Sequence, residues 1–300
     1  MTKKVLAIYY SQSGQLGEII DNLTQPLQTE GITVEKLRIE VKQPYPFPWK
    51  GNSFFAVMPD CVLSVPTQLQ PLHLKESSYD LVILGYQAWF LSPSIPFNSL
   101  VSSPEMKAIL KDTPVVMITG ARNMWITAFE KSKKLLASAG AKLSGHIALV
   151  DKHANFVSFV TIFYWMLMGK KGRFLNIFPK PGVSDEDIKG SGKYGKIIAH
   201  VLGTGNNWEN LQPQLVREGA VDVKYRLMFI ESKASKIFSI WANIIAKRRN
   251  KGFWLSLFKY YLIIALFVAA PIILTVDAIL FKPFSGKKIR QRMQFLSGVK

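Results

Sequence analysis

The segment Ser11-Gln12-Ser13-Gly14 has the residue types of a loop that binds phosphate. It follows an apolar run at residues 5–10 and precedes a helical pattern that begins near Leu16. A strand, a tight loop and a helix in this order turn backbone N–H groups toward an anion at the helix N-terminus. The serine hydroxyls add donors, and the glycine allows close approach of the backbone. We therefore predict an anion site in this loop.

The kind of phosphate follows from the neutral character of the loop. It contains no lysine and no GxxxxGK[ST] motif, which disfavours a nucleoside triphosphate. A loop rich in hydroxyl groups suits a monophosphate, and flavin mononucleotide (FMN) is the leading candidate. The alternative is an ordinary strand–helix turn whose serines cap the helix.

The loop is expected at the edge of a parallel sheet. Apolar runs predict buried strands at residues 5–10, 81–85, 115–119 and 146–150, with a weaker strand at 33–39. Helical patterns lie between or after them at residues 107–110, 128–139 and 190–202. This alternation predicts a doubly wound α/β fold whose strand C-termini share one edge, where ligands bind. Residues 43–71 contain six prolines, so we expect an extended insertion there without a long helix.

Two further loops are predicted at the same edge. Residues 85–96 include Trp89 and Phe90, whose rings can pack on a flat cofactor while backbone amides bond to its polar edge. In residues 119–125, Gly120 permits a tight turn, and Arg122 or Asn123 can supply donors that stabilise an anionic reduced flavin. The alternative for the aromatic residues, including Trp125, is packing in the core.

With these three loops the chain resembles the flavodoxin-like superfamily over roughly residues 3–202. The residues that carry the resemblance are the SxSGxL pattern at 11–16 and the segment YDLVILGYQAWFLSPSIP at 79–96. It implies a doubly wound domain that binds FMN, which we place at 1–205. The basic and apolar composition of the rest of the chain predicts a helical, membrane-associating extension at 206–300. On this resemblance the cofactor would contact Ser11, Gln12, Ser13, Gly14, Gln15, Leu16, Gln87, Ala88, Trp89, Phe90, Leu91, Gly120, Ala121, Arg122, Asn123, Met124 and Trp125.

The charge of the chain is concentrated in that extension. Residues 224–300 contain 15 basic residues against 2 acidic ones, which is +13 of the total +18. These charges bracket an apolar stretch, which favours an anionic membrane surface over nucleic acid as the partner. Basic charge and a long extension also disfavour a free electron shuttle, since flavodoxins of that kind are typically short and acidic.

The single cysteine, Cys61, excludes an internal disulfide and suits a reducing compartment. A strand is predicted at the start of the given sequence, where a secretory signal peptide would have an apolar segment. Both observations favour a cytosolic location.

Residues 253–281 are nearly continuous in apolar residues, and 260–276 carry no charge. The uncharged stretch of 17 residues is at the lower limit of length for crossing a bilayer. Basic clusters on both sides favour placing both ends at the cytoplasmic face, so a monotopic or re-entrant anchor competes with a single span. Pro271 is expected to kink the helix or open a re-entrant turn. Residues 155–168 form a second apolar segment, either an interfacial or a buried helix, and 233–249 has an amphipathic pattern.

His153 is the best-placed acid–base candidate, because it lies just beyond the fourth predicted strand and imidazole exchanges protons near neutral pH. The alternative is a hydrogen-bonded histidine in a loop. No group of histidine, cysteine and carboxylate residues has the spacing of a metal site, so no metal is expected.

In its whole layout the chain resembles aromatase-type proteins of dialkylresorcinol and flexirubin pathways. The resemblance implies oxidation of a 2,5-dialkylcyclohexane-1,3-dione to a resorcinol, in which a base removes a ring proton and hydride passes to flavin N5. The substrate would then be a lipidic small molecule that reaches the flavin from the bilayer. Two alternatives stay open: a membrane-bound NAD(P)H:quinone reductase, and a non-catalytic membrane scaffold with a vestigial flavin pocket. The sequence leaves open whether the chain forms a homo-oligomer.

Overall fold

The computed structural model describes residues 2–205, 207–282 and 285–299. Its centre is a five-stranded parallel sheet in the order β2-β1-β3-β6-β7. The strands of this sheet are β1 (Lys4–Tyr9), β2 (Thr33–Arg38), β3 (Leu81–Tyr86), β6 (Pro114–Ala121) and β7 (Lys142–Val150), while β4 (Ala88–Trp89) and β5 (Ser92–Pro93) form a separate antiparallel hairpin. Counting the main sheet alone, the order is that of a flavodoxin-like doubly wound fold.

The sheet is the buried centre of the domain, as the apolar runs predicted. Every residue of β3 is buried, and residues 5–8 of β1 are fully buried. All five predicted strands are present. The last one begins at Lys142 rather than at residue 146, because its first four residues, Lys-Leu-Ser-Gly, contain no continuous apolar run.

Helices cover both faces of the sheet. They are α1 (Gln15–Thr29), α4 (Ile95–Ser102), α5 (Pro104–Leu110), α6 (Ile126–Ser138), α7 (Asn155–Met168), α8 (Asp185–Gly190) and α9 (Gly192–Gly203). Helix α4 begins inside the segment predicted as a loop, because Pro96 lies in the first turn, where a helix tolerates proline. The predicted helix at 190–202 is confirmed as α9, which begins at Gly192; the short helix α8 ends just before it at Gly190.

The proline-rich segment 43–71 contains only the short helices α2 (Ser53–Ala56) and α3 (Met58–Val62). The prediction that it contains no long helix is confirmed, but the segment is not wholly extended.

The core of the α/β domain continues beyond the boundary predicted at residue 205. Helix α10 (Leu211–Arg217) inserts Leu211 and Leu215 into the core, and the amide of Ala148 in β7 donates to the carbonyl of Ala220 at 2.8 Å. The sheet and the start of the extension therefore share one core.

The extension continues as α11 (Tyr225–Ala246), α12 (Lys251–Ile264), α13 (Ala270–Val276) and α14 (Gly286–Ser297). A turn of π-helix at Ala265–Ala269 joins α12 to α13. Pro271 follows that turn without ending the helix, because a widened turn relieves the clash between proline and the carbonyl four residues earlier. Within the described residues, Lys251–Leu280 is the one helix that is long and apolar enough to cross a membrane; we call it the apolar helix.

Candidate functional site

The predicted phosphate loop joins β1 to α1 at the carboxyl edge of the sheet. Gly14 precedes α1 with a φ of 89°, a left-handed conformation that glycine adopts without strain. The amide of Gly17 donates to the Oγ of Ser11 at 3.4 Å, and no side chain caps the helix at Gly14. The first-turn amides of a helix have no intrahelical acceptor, so this end of α1 is open to an anion.

Residues distant in sequence hold the loop in place. A guanidinium N–H of Arg38, at the end of β2, donates to the carbonyl of Ser11 at 2.9 Å. Gln12 donates to the carbonyl of Pro46 at 2.9 Å, which ties the loop to the proline-rich insertion. Gln15 exchanges two hydrogen bonds, of 3.4 and 3.3 Å, with the backbone of Val183.

The three predicted loops meet around a single cavity of about 190 Å³, which we call the loop cavity. It lies at the carboxyl edge of the sheet, where an open α/β fold binds its ligand. The predicted site residues that line it are Gln12, Ser13, Gln15, Leu16, Gln87, Ala88, Trp89, Phe90, Gly120, Ala121 and Arg122.

The second loop is a hairpin whose backbone is strained. Phe90 and Leu91 have φ angles of 46° and 58°, in a region where non-glycine residues cost about 1–2 kcal/mol each. The hairpin is fixed by its neighbours, since the Cys61 thiol donates to the carbonyl of Trp89 at 3.2 Å and Lys131 donates to Ser92 Oγ at 2.7 Å. Strain of this kind is concentrated at functional sites.

In the third loop, the tight turn predicted at Gly120 is wrong. This residue lies within β6 and does not form a tight turn. A Cβ atom at this position would lie 2.8 Å from Cδ1 of Ile19 on α1, so a larger residue would force that side chain to shift. The neighbouring Arg122 donates to the side chain of Asn155 at 2.9 Å, and burial lowers the pKa of Arg122 to about 10, so it stays charged at neutral pH.

Two apolar cavities share walls with the loop cavity. The inner cavity, of about 280 Å³, has Ala88, Phe90, Ala121 and Arg122 in common with it and is lined on its far side by α11 and the apolar helix. The outer cavity, of about 480 Å³, lies between α7 and the apolar helix. Phe54 and Met166 line both the outer and the loop cavity. Ligand pockets commonly measure about 300–1,000 Å³, so the loop and inner cavities reach that range only together.

Six predicted cofactor residues do not line the loop cavity. Leu91 and Met124 line the inner cavity instead. Ser11 lies beneath the loop, and Gly14 is exposed at the helix end. The remaining two are buried elsewhere: Asn123, which donates to Asn155 at 2.9 Å, and Trp125, which packs in the core against Phe129 and His146.

The predicted base, His153, lies outside all three cavities. Its Nδ1 is 2.7 Å from the Oδ1 of Asp151, and its side chain is 40% exposed. Asp151 is buried and also accepts a hydrogen bond of 2.7 Å from Ser158 Oγ, so it anchors the start of α7. In the part of the chain that the structure describes, no cluster of three metal-ligating residues occurs.

Several residues of the loop cavity were missed by the sequence analysis: Phe47, Trp49 and Phe54 of the insertion, Ile162, Trp165 and Met166 of α7, and Gly182. The insertion places its aromatic rings against the second loop, with ring centroids of Trp49 and Trp89 5.8 Å apart. In the sequence, the aromatic residues between the prolines of 43–71 were the feature that could have indicated this contact with the site.

Comparison with known proteins gives structural likenesses only. No family model and no curated protein matches the chain. Among solved structures, the chain is similar to a flavoprotein in complex with FMN from Lactobacillus acidophilus NCFM, with 18% identity over 49% of this chain and 93% of that chain and a TM-score of 0.41. It is also similar to a putative flavoprotein from Bacteroides eggerthii DSM 20697, with 19% identity, 49% and 89% coverage, and a TM-score of 0.40.

A flavodoxin from the domain Archaea matches with 11% identity over 67% of this chain and 99% of that chain, with a TM-score of 0.35. The identities and TM-scores of these three structures are low, so the fold assignment rests on this chain's own strand order. By that order the protein has the flavodoxin-like α/β fold.

Proposed function

We propose that this protein is a membrane-associated, FMN-dependent oxidoreductase that acts on a lipidic substrate at the cytoplasmic face. The observation that carries the redox proposal is the meeting of three strand-end loops around the loop cavity. This is the position at which a doubly wound sheet binds its ligand.

The residues present fit FMN. The open end of α1 and the hydroxyl of Ser13, which lines the loop cavity, suit the phosphate. Gln87 lines the loop cavity, and its Oε1 is buried without a hydrogen-bond partner among the described residues. Buried acceptors are normally satisfied, so this oxygen suits an N–H group of a bound ring. The aromatic side chains of Trp89 and Phe90 supply flat apolar walls.

When bound, FMN would accept two electrons and a proton from the substrate. The protein contributes charge and shape to this reaction. The guanidinium of Arg122 lies in the wall shared by the loop and inner cavities, where its positive charge stabilises an anionic ring or substrate enolate. Phe90 lies in the same wall and gives it an apolar surface.

The lipidic substrate is supported by the two apolar cavities beside the loop cavity. Their linings are almost entirely aliphatic and aromatic, with Arg122 and Lys233 as the charged residues of the inner one. A polar ring head can lie beside Arg122 while alkyl chains occupy apolar space. The finer proposal is oxidation of a 2,5-dialkylcyclohexane-1,3-dione to a dialkylresorcinol, since an acidic dione enolate and alkyl substituents match this combination.

The test is an anaerobic half-reaction with the purified holoprotein. Mixing with a dialkylcyclohexanedione is expected to bleach the yellow flavin and yield the resorcinol in an amount equal to the flavin. Bleaching by NADPH but not by the dione would contradict the aromatase and favour a quinone reductase. If the purified protein carries no flavin and takes up none, both redox proposals are wrong and the non-catalytic membrane scaffold is favoured.

A further inference from the structure

The apolar helix lies alongside α11 over most of its length. Near its start, the ring of Phe258 packs against Phe238 and Trp241, with centroids 5.4 and 5.7 Å apart. Near its end, the hydroxyl of Tyr225 donates to Asp277 at 2.7 Å. Since Tyr225 begins α11 and Asp277 lies near the end of the apolar helix, the two helices form an antiparallel pair.

Both flanks of this pair are fixed to the same α/β domain. On α11, the buried carboxyl group of Glu231 accepts hydrogen bonds from the amides of Ile126 and Thr127 at the start of α6, at 3.2 and 3.3 Å. Beyond the apolar helix, α14 returns to the domain: Arg292 forms an ion pair with Glu130, Gln212 donates to the carbonyl of Ser297 at 2.7 Å, and Leu296 enters the core.

This arrangement is incompatible with an upright span. A helix of 30 residues is about 45 Å long, and an upright one separates its ends by a hydrocarbon core about 30 Å thick. Here both ends are tied to one domain, and an upright position would carry the charged residues of α11, such as Lys233 and Lys236, into the bilayer.

We propose that the apolar helix lies in the plane of one leaflet of an anionic bilayer, as a monotopic anchor, and that α7 and residues 174–177 share its membrane-facing surface. The proposal rests on the membrane association in the proposed function and defines its geometry. It is independent of the flavin.

The membrane-facing surface is continuous between α7 and the apolar helix. The ring of Phe267 contacts both Phe156 and Phe159 on α7, at centroid distances of 5.9 and 5.3 Å. Exposed apolar side chains extend over both helices and the turn between α7 and α8; they include Phe156, Met168, Ile177, Ile264, Phe267 and Ile272. Contiguous exposed apolar surface of this extent marks an interaction site.

The basic residues around this surface indicate that its partner is anionic lipid. Lys170 and Arg173 follow α7, and Arg249 and Lys251 precede the main part of the apolar helix. Basic residues that border an apolar face are attracted to the headgroups of anionic lipids. The outer cavity lies between α7 and the apolar helix, so its apolar interior adjoins the acyl chains of the leaflet.

The test uses the full chain bound to preformed vesicles of phosphatidylcholine and phosphatidylglycerol. Single cysteines at Lys251→Cys and Lys287→Cys are labelled with a membrane-impermeant maleimide, with Lys42→Cys on the α/β domain as the accessible control. Native Cys61 is buried and gives the background. We expect all three to label equally before detergent is added. Protection of Lys287→Cys until detergent is added would show a span and overturn the proposal.

A second measurement determines the depth of the helix. A fluorophore on Val268→Cys, an exposed position near the middle of the apolar helix, is expected to be quenched at least twofold more by a nitroxide near the headgroup than by one near the bilayer centre. The opposite order would indicate an upright helix and overturn the proposal. Failure to sediment with anionic vesicles, with dimers formed instead, would assign the surface to a second copy.

The flavin content of the same samples separates the two proposals. Yellow protein that fails to bind vesicles overturns the monotopic anchor but leaves the redox site intact. Colourless protein that binds and labels as expected overturns the redox proposal alone.

Discussion

Arg38 fixes the phosphate loop by donating a hydrogen bond of 2.9 Å to the carbonyl of Ser11. The guanidinium bonds the loop backbone, so it shapes the loop. Arg38→Ala is expected to lower FMN affinity about tenfold, equivalent to about 1.4 kcal/mol, because the loop amides lose their fixed orientation. Isothermal titration measures this. The control is Lys36→Ala on the same strand as Arg38, which removes a surface ion pair with Asp21 of α1 and should leave affinity unchanged. Equal losses in both variants would refute the role of Arg38.

Gly14 is expected to be required for both stability and binding. Its φ of 89° means that Gly14→Ala strains the backbone by about 1–2 kcal/mol and moves the loop amides. Gly31→Ala, at a φ of 76° beyond the other end of α1, is the matched control with the same strain. Both variants should lower the melting temperature, but only Gly14→Ala should weaken FMN binding, by about tenfold. Unchanged affinity in Gly14→Ala would place the phosphate elsewhere.

The inner cavity is expected to determine the length of the substrate chain. Ala269 lines it, so Ala269→Phe fills space that an alkyl chain would occupy. Each methylene excluded from apolar space costs about 0.8 kcal/mol, so KM should rise about tenfold or more for long-chain substrates and little for short ones. Ala278→Phe, on the exposed side of the apolar helix, is the control. A uniform effect on all chain lengths would argue against chain binding in this cavity.

Glu231 makes stability depend on pH. Burial raises the pKa of this carboxyl to about 8 in the folded protein, although two backbone amides donate to it. The unfolded chain ionises near the ordinary value, so the folded state binds the proton more tightly. The contribution to the free energy of unfolding is therefore full at low pH and falls by about 1.4 kcal/mol per unit as pH rises toward 8.

Glu231→Gln removes this ionisation while keeping an acceptor for one of the two amides. Denaturation by urea from pH 7 to 8, above the ordinary histidine pKa of about 6.5, should show a falling stability in the native protein and a flatter profile in the variant. Parallel profiles would show that Glu231 does not titrate in this range.

The sequence was sufficient to predict the sheet, because residues 5–8 and 81–86 are continuous buried apolar runs. It also predicted the loops that line the cavity, since parallel strands end at one edge. It could not predict the strained hairpin at Phe90 and Leu91, because tertiary contacts from Cys61 and Lys131 override the local preference for glycine or asparagine there. The tie between Arg38 and Ser11 joins residues 27 positions apart, which no local pattern reveals.

The orientation of the apolar helix is a second feature that local sequence patterns could not predict. Its composition predicted a membrane segment, but spanning and in-plane helices have similar sequences when basic residues flank both ends. The distinction depends on contacts such as Tyr225 with Asp277, which are tertiary.

The most direct test is titration of the apoprotein with FMN, followed by flavin fluorescence and by thermal denaturation. We expect saturable quenching at one FMN per chain and a stabilisation of about 2.7 kcal/mol when free FMN reaches 100 times its Kd. Unquenched fluorescence together with an unchanged melting temperature would contradict a flavin site at the edge of this sheet.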